Sequence, residues 1–248
     1  MDETEPGQPA EAFQPVSPIF ISGMVVGVIV LIIVVQLGFY KTYLQFFPQF
    51  KGFRFVQHFH GSMMIVWLMM LLVQPILVRT GNFNLHRLIG KASYLLAPLV
   101  LMSMYLISQF RYNGLLESSG KAAATAHLAL NFPNIVFFAV LYLLAILYKG
   151  QTELHMRYMC STAFVLIGPG LARVLMGYMA LSLPDAVLVV RIITPLITGV
   201  ITIVDSVRTR RLSPFAIVFG FMVLHTILWE ARETTFWQTI GSAITQLF

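Results

Sequence analysis

Three histidines and two arginines stand inside segments apolar enough to cross a bilayer: His60, His127, His225, Arg173 and Arg191. They are the side chains through which this chain could do chemistry. Imidazole serves as base, proton relay and ligand near neutral pH, and an ionisable group within a membrane segment marks a functional site by default. His60 holds the most informative position. Gln57, His60, Met64, Trp67, Leu71 and Gln74 recur at helical spacing and form one stripe, whereas neighbouring His58 points the other way.

Two ligand chemistries fit these residue types. Haem b would take His60 and His127 as axial ligands, with Arg173 and Arg191 neutralising the propionates or, without haem, a substrate anion. A non-haem transition metal would use His60, His127, His225 and a carboxylate such as Glu230 or Glu233. No helix carries the closely spaced ligand pair that strengthens such a reading. The structural alternative is that the histidines hydrogen-bond to amide and carboxylate neighbours and fix helix packing. Charge argues for more than packing, because Arg173, Arg191, Glu230 and Glu233 are costly at depth unless paired or hydrated. Pairing of Arg191 with Glu233, or Arg173 with Glu230, is the expectation.

A second group of basic residues opens two of the helices: His86 with Arg87, and His155 with Arg157. They anchor helix ends by snorkelling to the headgroups, or else form a site for a lipid phosphate or a quinone head. Met63, Met64, Met69 and Met70 read as core filler. No serine or cysteine nucleophile, phosphate-binding glycine loop or dinucleotide fingerprint is present, and no basic patch interleaved with aromatics points to nucleic acid.

These residues must be positioned by membrane helices. Of 248 residues, 58% are hydrophobic and 10% charged, against roughly 25% charged in a soluble domain, so the chain cannot cover a water-facing surface. The single cysteine, Cys160, excludes an internal disulfide. A span needs about 20 apolar residues, and the length is used up by about seven. The fold class is therefore all-α, a polytopic bundle with a polar interior.

Residues 1–17, acidic and proline-rich without Lys or Arg, read as a disordered tail. Residues 18–237 make the transmembrane domain and 238–248 a short C-terminal segment. Within the domain, the second span runs to Val78 and the third from Lys91 to Tyr112, with Lys91, Tyr94, Pro98, Met102, Tyr105 and Gln109 on one face. A polar turn occupies 113–120, and the fourth span carries His127, Asn131, Asn134 and Tyr142 on one side. The fifth is broken at Gly168-Pro169-Gly170, Pro184-Asp185 separates it from the sixth, and the last ends near Phe236. The sixth span's stripe is Arg191, Thr194, Thr198, Thr202 and Asp205. Lys and Arg are richer on the side of Arg79–Lys91, Lys149–Arg157 and Arg208–Arg211. That side, with the N-terminus, is placed in the cytoplasm by the positive-inside rule.

The motifs His60-Gly61 with Trp67 and Gln74, Leu85-His86-Arg87-Leu88-Ile89-Gly90, and His155-Met156-Arg157-Tyr158-Met159, together with Gly168, Pro169, Arg173 and Asp205, resemble those of a group of uncharacterised bacterial seven-span membrane proteins. The resemblance implies architecture and a role for His60, His86 and His155, but names no reaction. His127 and His225 fall outside its pattern. The functional expectation is a membrane redox or metal-dependent protein built around His60. The alternatives are a transporter, with His60 as a proton-sensitive gate, or a lipid- or quinone-binding protein, or a structural accessory subunit completed by another membrane protein.

Overall fold

A computed structural model describes residues 18–248; the acidic tail of residues 1–17 lies outside them. The described residues form eight α-helices and short 3-10 turns, with no strands among them. The helices are α1 (Pro18–Tyr40), α2 (Phe55–Arg79), α3 (Phe83–Leu147), α4 (Thr152–Ser161), α5 (Ile167–Met179), α6 (Leu183–Thr209), α7 (Phe215–Glu230) and α8 (Thr235–Ile244). Six helical stretches, with α4 and α5 counted as one, are long and apolar enough to cross a membrane.

α3 has 65 residues, about 97 Å if straight, three times a bilayer's hydrocarbon core. It is not straight. Gly120 leaves helical geometry at φ 83° and ψ 171°, a region glycine enters without steric cost, and the limbs 83–119 and 121–147 fold back on each other. Ser93 Oγ and Tyr142 OH meet at 3.0 Å across the limbs, and Lys149 Nζ donates to Tyr94 OH at 3.5 Å. The expected polar turn over 113–120 thus shrinks to one residue. Leu115, Leu116 and Glu117 are good helix formers, and only Gly120 departs.

The fifth span is broken earlier than expected. α4 ends at Ser161, Thr162–Leu166 is a 3-10 segment, and Gly168-Pro169-Gly170 lies in the first turn of α5. Proline fits there because first-turn N–H groups have no partner inside the helix. Pro184 likewise opens α6, where the Ser182 hydroxyl accepts from Asp185 N–H at 3.3 Å. At the other end of the chain α7 stops at Glu230, and a 3-10 turn leads into α8.

The core is held by large side chains from α2 and both α3 limbs. Trp67 is fully buried, edge-on to Phe138 at 4.9 Å and Tyr142 at 5.7 Å. Its indole N–H donates to Thr162 Oγ1 at 3.0 Å, tying α2 to the 3-10 segment. Trp67→Phe is expected to cost about 1–2 kcal/mol through this bond, read as a lower thermal midpoint in detergent. α1 packs on α5, with α2 beside it, while α6 lies between α5 and α7. A second, smaller cluster of Tyr112, Ala124, Leu128, Ala129 and Trp237 sits at the Gly120 end, under α8. There Trp237 Nε1 donates to Thr125 O at 3.0 Å, and Gln109 Nε2 to Phe248 O at 2.7 Å.

Outward faces are apolar: Leu95, Leu188, Ile203 and Val207 are each more than half exposed. The helical stripes run as the periodicity requires for α2 and α6. Met64, Trp67 and Leu71 are buried, as are Arg191, Thr194, Thr198 and Asp205. The first limb of α3 differs. Lys91, Tyr94, Pro98 and Met102 are exposed, and Ser93, Ala97, Val100 and Ser103 face the bundle, because small side chains let the limbs approach closely.

Candidate functional site

The polar residues of the bundle fall into three groups. The first gathers His60, His127, Arg173 and Arg111. His60 stands in the second turn of α2, where Nδ1 meets Ser103 Oγ at 3.2 Å. The Ser103 hydroxyl proton is already given to Val100 O at 2.7 Å. A hydroxyl has one proton, so His60 Nδ1–H must donate to Ser103. The imidazole lone pair is then left on Nε2, which has no hydrogen bond to protein among the described residues.

Arg173 lies one turn beyond Gly170 on α5. Its guanidinium donates to Pro169 O at 3.0 Å and covers the Phe39 ring, 4.3 Å from its centroid. It is within electrostatic reach of His60, His127 and Arg111. No carboxylate pairs with it among the described residues. His127 is within reach of Arg111 as well. Arg111 is not among the residues that the sequence singles out. Its place nine residues before Gly120, with His127 seven after, is the signal that could have found it, since a hairpin at Gly120 brings the two level.

The second group holds His225, Arg191 and Glu230. His225 Nε2 donates to Ala129 O at 3.0 Å, because a carbonyl can only accept. Arg191 donates to Thr226 O at 3.3 Å and His225 O at 3.5 Å, pairs with Glu230 at 3.5 Å and lies over Trp229 at 4.8 Å. It therefore caps the carbonyl end of α7. Glu233 pairs with Arg232 at 3.2 Å. The expected Arg191–Glu233 and Arg173–Glu230 pairs are replaced by these, since Glu230 lies on the same turn of α7 as the carbonyls that Arg191 caps. The one constellation expected from sequence is thus two, with His60, His127 and Arg173 apart from His225, Arg191 and Glu230. Among the described residues no group of three or more His, Cys, Asp or Glu is placed to hold a metal ion.

The third group lies at the opposite end. Arg157 is buried rather than snorkelling. It grips Asp205 with two bonds, Nε to Oδ2 at 2.9 Å and Nη2 to Oδ1 at 2.8 Å, and both side chains are 6% exposed. Ser213 adds a third donor to Oδ2 at 2.6 Å, and Phe20 lies under the guanidinium at 4.5 Å. This fork-on-fork geometry is the strong form of ion pair, and it joins α4, α6 and the start of α7. Arg87 is exposed and bonds Asn84 at 2.6 Å. His155 donates from Nδ1 to Ala145 O at 2.8 Å. His86 neighbours Gln74, whose Nε2 donates to His86 O at 3.2 Å.

His58 is held by the α1–α2 loop. Tyr43 OH meets its Nδ1 at 2.5 Å, and Phe50 and Phe53 crowd both rings. Burial raises the Tyr43 phenol above its ordinary range.

The fold and the lipid-ready exterior make this chain a multi-pass helical membrane protein. No model of a protein family, no curated protein and no solved structure matches it.

Proposed function

We propose that the protein crosses the inner membrane of a bacterial cell seven times, α3 counting twice, and that it binds and transports an anionic solute at the outer end of the bundle. The observation that carries this reading is Arg173, a cation with two histidines and Arg111 around it and no carboxylate partner among the described residues. A half-buried guanidinium within a membrane span needs an anion or water, and a carboxylate or phosphate group on the solute supplies one in bidentate form. His60 Nε2 supports the same role, as an acceptor for a proton carried with the solute. A metal dication is opposed by the field of the two arginines. The placement of the His60 end outside follows the richer supply of Lys and Arg at the other end.

The test is ligand-dependent stabilisation of the purified protein in nanodiscs, with benzoate and inorganic phosphate as probes and choline as the cationic control. Either anion should raise the thermal midpoint while choline leaves it unchanged. Arg173→Gln should weaken binding by about 2–5 kcal/mol, roughly 30-fold or more. Stabilisation that survives Arg173→Gln would overturn the reading. So would a Soret absorption band lost in His60→Ala but kept in His58→Ala, which would assign the same residues to haem b.

A further inference from the structure

Two buried polar atoms near the Arg157 end have no hydrogen-bond partner: Gln74 Oε1 on α2 and His86 Nδ1 on α3. They belong to interlocked residues, since the Gln74 amide N–H₂ is committed to His86 O. Gly90 lies beside that amide, and a Cβ there would make ordinary contact with Gln74 Nε2 at 3.7 Å. Unpaired buried polar atoms are rare and call for an unseen partner, and the chemistry of these two limits what it can be.

Gln74 Oε1 can only accept, so the partner carries a proton to donate. An ionised phosphate or carboxylate has none, nor has the carbonyl of an oxidised quinone. The partner is also uncharged, because Arg87, the next residue along α3, repels a cation. An uncharged O–H has one proton, so it donates to Gln74 and accepts from His86 with the imidazole proton on Nδ1, whereas a water, with two, can donate to both. Both residues are only half-buried, and Leu85, Leu88 and Leu95 leave the surrounding face of α3 apolar and exposed. An amphiphile can therefore reach the pair sideways from the bilayer.

We propose that Gln74 and His86 form a hydroxyl-binding site, independent of the anion site at His60, which takes the phenolic head of a reduced quinol or an ordered water. The experiment uses full-length protein in nanodiscs, labelled with ¹⁵N-histidine. The His86 Nδ1 resonance, assigned by its loss in His86→Phe, should show the shift of a hydrogen-bonded nitrogen and move to the free value in Gln74→Leu. The probe 2-heptyl-4-hydroxyquinoline N-oxide, an amphiphile whose ring carries a hydroxyl, separates the two sources. Saturable fluorescence quenching that perturbs this resonance, weakened tenfold or more in Gln74→Leu and unchanged in Arg173→Gln, identifies an amphiphile site. A hydrogen-bonded shift with a cross-peak to water and no response to the probe identifies the water. A wild-type resonance at the free value, with no response to the probe, would overturn the proposal whether or not the variants fold.

Discussion

Asp205→Ala is expected to lower the stability of the folded protein by about 3–5 kcal/mol, the largest single-residue effect in the bundle. The carboxylate receives two bonds from Arg157 and one from Ser213, and both members of the ion pair are almost fully covered. Removing it leaves a guanidinium enclosed by α4 and α6 above the Phe20 ring, with only the Glu153 carbonyl, at 3.2 Å, still accepting from it. The loss is therefore mainly the cost of the stranded charge and not the net value of the pair. That distinction is measurable. Replacing both partners with apolar residues of similar volume, Arg157→Met with Asp205→Leu, should recover most of the stability. Thermal or denaturant unfolding in one detergent would compare the three proteins. A double variant as unstable as the single one would mean that the ion pair itself, not the avoidance of a stranded arginine, holds this end together.

The second large effect is expected at the crossing of α1 and α5. A Cβ on Gly38 would collide with the carbonyl oxygen of Gly170 and lie 3.3 Å from Arg173 Cβ. On the facing side, a Cβ on Gly170 would meet Val35 and Val34 at 3.3–3.5 Å. The obstacle at Gly38 is backbone, which cannot rotate away as a side chain can. Gly38→Ala must therefore push the helices apart and is expected to cost about 1–3 kcal/mol or somewhat more. Gly23, on the same helix with nothing near its Cβ position, is the control. Gly23→Ala should be neutral or slightly stabilising, because alanine favours the helix. Since Phe39 and Arg173 stack at this crossing, Gly38→Ala should also weaken anion binding at the His60 end. Unfolding midpoints and benzoate titration of the same preparations check both parts.

Sequence by itself determined the class and much of the rotation of the helices. A charged fraction of 10% leaves no means of covering a soluble surface. The 3.6-residue period placed Met64, Trp67 and Leu71 inward on α2, and Arg191, Thr194, Thr198 and Asp205 inward on α6, since burial within one helix follows from spacing alone. The same period identified a polar face on the first limb of α3 that turns out to be exposed. There the stripe of Ser93, Ala97, Val100 and Ser103 carries no strong hydropathy signal, and what places it inward is the close approach of the second limb.

Tertiary structure alone decided which polar group meets which. Arg157 finds Asp205 48 positions away, and Arg191 finds Glu230 rather than Glu233. Such pairings depend on the depth, tilt and rotation of two helices at once, and on local breaks that shift a register. The 3-10 segment Thr162–Leu166 and the single turn at Gly120 are breaks of this kind. The latter brings Arg111 level with His127. It is what joins histidines legible in the sequence to Arg111 and Arg173 in one group, separate from the His225 group. Inter-helix geometry is set by the sum of many weak packing contacts, which no one-dimensional spacing contains.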